Sequence, residues 1–577
     1  MTETKLFVAG ASLLALLLCG CGRNSVEMTA ERDWLLIPAS DRGPVASLAI
    51  LSDGKNILGE AQLINPAPDT ADYWIPVDIS DYRGRQLEIV IDSEESPEAA
   101  LSAIRQSDSR ELDLDEPYRQ VYHFTPEFGW TNDPNGMVWH DGEYHLAYQA
   151  NPYGTKHFNM HWGNAVSTDL VHWTDLPFIV APDELGAIFS GSAVVDIEGT
   201  AGFGENAIVA MYTSASDTQK QSIAWSTDGG RSYTKHDGNP VLEEPGIKDF
   251  RDPKLLRHGD SWIVSVAAGD RIIFYESDDL KEWTRLSEFG EGIGAHGGVW
   301  ECPDLIPMEY GGQRKWVLIV NINPGGPNGG SAAQYFIGDF DGTSFTADPL
   351  PYPLWVDEGM DNYAGVTFSN TGDRQIFLGW LSNWLYSEHT PTVNFRNGMT
   401  IARDLSLRSN GEHLFLASSP SPEILSARRE AVSFRNGMEN GVCEIPQLLP
   451  ENDGAYELCM TVTPGKSGKF ELQLGNSLGE KAVWSFDFND LSLNLDRSES
   501  GRTDFSDKFG KSDIRAKLVK RDRYELRLFV DRQSTELFIN DGDVSFTNSI
   551  FPNEAYNRLS LTSPDARVSG IKVYRLE

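Results

Sequence analysis

Apolar and polar residues alternate with a period of two through the C-terminal part of the chain. "YELCMTV", "KFELQLG", "VWSFDF", "LSLNL", "YELRLFVD" and "TELFIND" each put apolar side chains on one face, and turn residues bound each run. Strands buried on one face read this way, so residues 424–577 are expected to form a β-sandwich. Nearer the start, "DWLLIP", "VASLAIL", "DYWIPVDI" and "QLEIVI" are compact strand-like runs punctuated by Gly, Pro and Asp. They predict a small β module over 31–95, and the charged, Pro-containing stretch 96–117 reads as a linker.

Residues 118–416 carry a longer period. "STDLVHWT", "STDGGRSYT", "SDDLKEWT" and "DFDGTSFT" share an Asp, an aromatic four or five residues on, and then Thr. The Asp residues, 169, 228, 279 and 341, recur at intervals of roughly 50–60 residues, the length of a four-stranded propeller blade. Each Asp would organise a hairpin turn while the aromatic covers the neighbouring blade. Four copies, with chain to spare for one more, predict five blades. The expected fold is therefore all-β: a small N-terminal β domain, a five-bladed propeller and a β-sandwich.

Composition agrees, with 53 Gly, 30 Pro and 11% aromatics in 577 residues. A formal charge of -37 argues against a nucleic-acid partner, because phosphate backbones are held by clustered Lys and Arg. A neutral substrate suits this balance better. At the N-terminus Lys5 precedes the apolar run "LFVAGASLLALLL", the pattern of an export signal over 1–21. Its ending, "LCGC", resembles a bacterial lipobox with Cys21 as the lipidated residue, although Cys19 is unusual there; a plain signal peptide is the alternative. Such an anchor is the one membrane contact expected, at the bacterial cell envelope. Of five cysteines, Cys302, Cys443 and Cys459 fall in the globular part. Pairing of Cys443 with Cys459 stays open at this level, as does the oligomeric state.

Candidate chemistry lies in three acids punctuated by proline. In "WTNDPNG", Pro134 keeps Asp133 out of the helical region and Asn135-Gly136 is a strong turn dipeptide, so Asp133 is expected at a strand end. "FRDPK" holds Asp252 beside Arg251, and "WECPD" sets Glu301 between an aromatic and Cys-Pro. Singly each is explained by a surface turn or a surface charge pair. The innermost strands of a propeller point their ends into one funnel, so together the three predict a carboxylate site.

These three blocks, in this order, resemble the signature blocks of glycoside hydrolase family 32, the levanases, inulinases and invertases. "YHLAYQANPYG", "HWGNAVSTDLVHW", "FSGSA", "GGVWECPDL", "LGWLSNW", "FRNGMTIARDLSL" and, in the sandwich, "STELFINDG" also look like family blocks. The N-terminal module is similar to one carried by some bacterial levanase-like members. The resemblance implies a retaining glycosidase that releases fructose from the non-reducing ends of levan and inulin, with sucrose as a further candidate. It implies Asp133 as nucleophile, Glu301 as acid and base, and Asp252 as the carboxylate that holds fructose hydroxyls beside Arg251. It further implies sugar contacts from Asn132, Gln149, Trp162, Phe189, Ser190, Asp361 and Trp380; for Trp162 and Phe189, packing between blades is the competing reading. No cofactor or metal is expected: His157 and His161 stand at i and i+4, but no acidic partner at ligand spacing accompanies them.

Thr131, Ala150, Asn164 and the stretch "DEGMDNYAG" depart from the family pattern, which bears on subsite shape and not on the three acids. Two rivals share the propeller. A sialidase would need an arginine cluster for an anionic sugar, which the acid-rich blocks do not offer. An inverting arabinanase or xylanase would hold its carboxyl groups farther apart, at roughly 6.5–9.5 Å. A non-catalytic glycan-capturing lipoprotein would be expected to have lost one of the acids.

Overall fold

The computed structural model describes residues 24–434, 437–438 and 440–577; the leader and Cys21 lie outside them. The propeller consists of five antiparallel sheets, each running outward from an innermost strand. Those innermost strands are Gly129–His140, Ala187–Asp196, Phe250–His258, Val299–Tyr310 and Tyr363–Thr367 for blades 1 to 5. Each touches the next, and the fifth touches the first, closing the ring. Blade 1 gains a fifth strand, Phe395–Arg396, parallel to its innermost strand at Gly129 and Trp130.

The repeat works as its residues suggest. Asp169 accepts the backbone N–H groups of Val171 and His172, Asp228 those of Arg231 and Ser232, Asp279 those of Lys281 and Glu282, and Asp341 those of Thr343 and Ser344. Each closes the turn between the third and fourth strands of its blade. The aromatics that follow fill the seams: Tyr233 between blades 1 and 2, Trp283 between 2 and 3, Phe345 between 3 and 4, and Trp173 between 5 and 1. Blade 5 uses Asn410 for the same turn, its side-chain oxygen accepting the N–H groups of Glu412 and His413.

The C-terminal strands form two six-stranded sheets around one core, with Phe470, Leu472 and Leu474 alternating inward along Lys469–Gly475. Cys443 and Cys459 lie on different sheets and are both free thiols. The N-terminal module is likewise two small sheets around its own core. The stretch expected as a linker is partly structured. Helix Glu98–Ala103 buries Ala100 and Leu101 in that core, and Arg105–Ser107 adds a strand beside Trp34 to Leu36. Its charges sit on the solvent face and mask the short apolar anchor in the sequence.

Propeller and sandwich meet through buried charges. Arg403 binds Asp357 at 2.8 Å and also Glu536, while His123 bridges Asp531 and Glu536 at 2.8 Å each. Buried ions persist only when paired and hydrogen-bonded. Burial alone would lower the His123 pKa, but its bonds to Asp531 and Glu536 carry it up to about 9. The ring ordinarily titrates near 6.5, so this stabilisation is complete below that pH and is lost as pH rises through about 9. The shift corresponds to on the order of 3 kcal/mol. Thermal unfolding midpoints should therefore fall across this window, and His123→Gln should flatten that part of the profile.

Candidate active site

The three acids sit inside long strands, not at their ends. Asp133 is the fifth residue of Gly129–His140, and prolines 134, 253 and 303 are all strand residues. An innermost strand has little or no partner on its funnel side, so a proline there forfeits no ladder hydrogen bond. What exposes Asp133 and Asp252 is a break in register, which occurs in every blade and in blade 4 begins directly after the paired Glu301. Pairing skips between Thr131 and Pro134, between Phe189 and Gly191, between Arg251 and Lys254, between Glu301 and Asp304, and between Tyr363 and Val366. The skipped residues include Asp133, Ser190, Asp252, Cys302 and Ala364, one from each blade. Asp252, Cys302 and Ala364 have φ of 63°, 43° and 52°, left-handed values that cost about 1–3 kcal/mol each for non-glycine residues. Bulges of this kind turn side chains out of the pleat, and here they turn them toward one another.

Cys302 ties the constellation together. Its sulfur lies 3.6 Å from Asp133 Oδ2 and 3.6 Å from Asp252 Oδ2, and its backbone N–H donates to Asp252 at 3.0 Å. Asp133 also accepts from Ser190 Oγ at 2.5 Å and from Asn132 Nδ2 at 2.8 Å, and Asn132 is itself held by Trp130 Nε1. Arg251 donates twice to one oxygen of Glu301, at 2.8 and 3.2 Å, while Tyr363 Oη donates to the other. Asp249 at 2.8 Å and Gln219 at 3.2 Å fix the far side of the guanidinium.

The electrostatics follow from burial and crowding. Burial raises the pKa of Asp133, opposed by the Ser190 and Asn132 hydrogen bonds and reinforced by the charge of Glu301. Asp252 is pushed up to about 7, first by burial, against the pull of Arg251 and with the push of Glu301 and Asp133. Such groups exchange protons as a set. Burial and three neighbouring carboxylates drive the Cys302 thiol far above its usual range, so it is a neutral donor. Tyr363 stays neutral for the same reasons, and Arg251 stays charged because its carboxylate partners outweigh its burial.

Three expected sugar contacts are placed otherwise. Trp162 is fully buried against Tyr212 and donates to the Phe189 carbonyl, so it packs between blades 1 and 2. Trp380 is also fully buried, bonded to the Thr131 carbonyl behind Trp130 and Trp384. Asp361 faces the sandwich: it pairs with Arg497 at 2.8 Å, accepts from Tyr386 Oη at 2.5 Å and from the Ser549 N–H at 2.8 Å, all without exposure. Phe189 is half-buried, and Gln149 is buried with its amide nitrogen unpartnered within the protein. The sequence reading missed Tyr363, Gln219 and Asp249. Tyr363 opens the innermost strand of blade 5.

Both family models for glycosyl hydrolases family 32 match the chain, the N-terminal domain over residues 123–418 and the C-terminal domain over 423–575. The chain is 43% identical to a levanase of Bacillus subtilis over 479 residues, covering 80% of this chain and 70% of that protein. It is 36% identical to an extracellular exo-inulinase of Aspergillus niger over 517 residues, 80% of this chain and 95% of the other. Among solved structures, the exo-inulinase of Aspergillus awamori superposes with a TM-score of 0.74 at 32% identity, covering 81% of this chain and 99% of that one. A fructofuranosidase of Schwanniomyces occidentalis complexed with fructose gives the same TM-score and identity.

Because Cys302 is buried and neutral, iodoacetamide at about pH 8 should leave it unmodified in the folded protein and label it after unfolding. Peptide mass mapping reads the difference, and rapid native labelling at Cys302 would contradict the geometry above.

Proposed function

The chain belongs to glycoside hydrolase family 32, and from that premise we propose that it is a retaining fructan β-fructosidase. It releases fructose from the non-reducing ends of levan and inulin, and sucrose presents the same terminal fructosyl group. Asp133 attacks the anomeric carbon of that unit while Glu301 protonates the departing oxygen. Glu301 then serves as the base that activates water to hydrolyse the fructosyl-enzyme. Asp252 accepts hydrogen bonds from ring hydroxyls, which strengthen as positive charge develops on the sugar. Arg251 orients Glu301 through its paired donors and balances the negative charge of the trio.

The observation that carries this reading is the position of Cys302. One sulfur within 3.6 Å of both Asp133 and Asp252 brings carboxylates from blades 1 and 3 together, and Arg251 links them to Glu301, which supports a single site. Ser190 and Asn132 orient Asp133 for attack. One relative is an extracellular exo-inulinase by its name, which supports an exported protein. Anchoring through Cys21 is part of the same proposal.

Asp133→Asn and Glu301→Gln should each lower fructose release by several orders of magnitude, roughly 10³-fold or more, with circular dichroism unchanged. Near-normal turnover in both variants would remove the assigned roles. Proton NMR of the first product should show fructose with the anomeric configuration of the substrate; inversion would point to the wider carboxylate spacing of the rival mechanism. Levan, inulin and sucrose assayed side by side, with free fructose followed against oligosaccharides, distinguish release of single fructose units from internal cleavage.

A further inference from the structure

The N-terminal module lies before residue 123, where the family match begins, so the matched region gives it no role. Its contacts with the propeller converge on two loops at the mouth of the funnel. One, 152–160, joins the second and third strands of blade 1; the other, 381–394, follows the second strand of blade 5. Both lie at the end where the innermost strands begin and where the three acids are.

Asp41 of the module joins the first loop to Arg396, in the short strand that directly follows the second. One carboxylate oxygen accepts from Thr155 Oγ1 at 2.7 Å and the other from Arg396 at 2.5 Å. Arg396 is buried, and among the described residues Asp41 is its one ion-pair partner. Its other amino group donates to the carbonyls of Glu388 and Thr390. Beside this bolt, Leu63 and Asn159 exchange two hydrogen bonds at 2.8 and 2.7 Å, and Tyr73 packs over Thr155 and Phe128.

The clamped loops carry the aromatic lining next to the acids. His157 sits edge-on to Trp384 at 5.1 Å and to Trp130 at 5.8 Å, and Trp130 stacks on Trp384. His157 and Trp384 are partly buried, and burial lowers the His157 pKa against the smaller opposing charges of Glu388 and Glu301. Arg396 in turn pairs with Trp130, three residues before Asp133.

We propose that the N-terminal module is a clamp on the funnel mouth, with Asp41 as a positioning residue that sets His157 and Trp384 against the bound sugar. The inference rests on the fructosidase reading for its kinetic consequence alone. A buried guanidinium whose counter-ion comes from another module gives the module a structural hold on the site. A clamp of this kind acts on substrate binding more than on the chemical step, because Asp41 touches none of the reacting groups.

The test uses the full chain with Asp41→Ala and, from the other side of the same bond, Thr155→Val. Hydrogen–deuterium exchange should show protection over 151–161 falling on the order of tenfold in both, with the blade interiors unchanged. KM for sucrose and short fructo-oligosaccharides should rise roughly 5–20-fold while kcat stays within about twofold, and Asp41→Asn, which keeps an acceptor for Thr155, should fall between. Unchanged exchange and unchanged KM in both variants would overturn the clamp, as would a defect confined to retention on insoluble polymer, which would assign the module to glycan capture. If the wild-type chain turns over no fructan, the functional reading fails, and the exchange arm still decides for or against the clamp.

Discussion

Apart from the short pairing of Phe395–Arg396 at the start of blade 1, an innermost propeller strand has a neighbour on one side only, and the site depends on that asymmetry. Because its free edge has no ladder to complete, each such strand tolerates proline, a skipped pairing and left-handed residues such as Asp252 and Cys302. A strand with partners on both sides could not do so without orphaning backbone groups. Five blades repeat the same distortion, so five short segments far apart in sequence deliver their skipped residues to one axis. The chemistry is then a matter of which side chain occupies each: a carboxylate in blades 1 and 3, a hydroxyl in blade 2, a thiol in blade 4 and the methyl of Ala364 in blade 5. The small residue in blade 5 leaves the adjoining Tyr363 to reach Glu301.

The strain of that floor is borne by a rigid surround. Trp130, Trp162, Trp300 and Trp380 are all fully buried, and their indole nitrogens bond to Asn132, Phe189, Ala295 and Thr131. Below them the paired ions Arg403 with Glu536 and Arg497 with Asp361 fix the propeller to the sandwich. Such pairs add less to net stability than their number suggests, since each charge must first be desolvated. Their geometric effect is clearer, because a buried Arg tolerates few arrangements of its donors.

Much of this was legible in the sequence. The Asp-to-aromatic repeat counted blades because an Asx turn and a seam-filling ring are local requirements that each blade meets separately. The fifth copy escaped because Asn410 meets the same turn requirement without the Asp or the Thr. The acids were visible through their prolines, yet they read as strand ends, since register between strands is not written in any one segment. Asp361 was misread for a related reason: its partner Arg497 is 136 residues away, and nothing nearby distinguishes a buried structural acid from one in a pocket. Trp162 and Trp380 illustrate the same limit, as an aromatic one layer behind a cavity and one lining it have the same sequence.

Phe395–Arg396 lies parallel along the start of the first blade's innermost strand, and Asn397 beside it bonds the Thr131 carbonyl across 266 residues. A β-ladder contact of that span closes the ring with backbone from its last member. During synthesis, the catalytic strand of blade 1 therefore waits for nearly the whole propeller to emerge before its N-terminal end gains this second neighbour. Assembly of the floor and completion of the circle are in this sense a single late event, and a chain cut short within blade 5 would have the acids without the frame that brings them to a common axis.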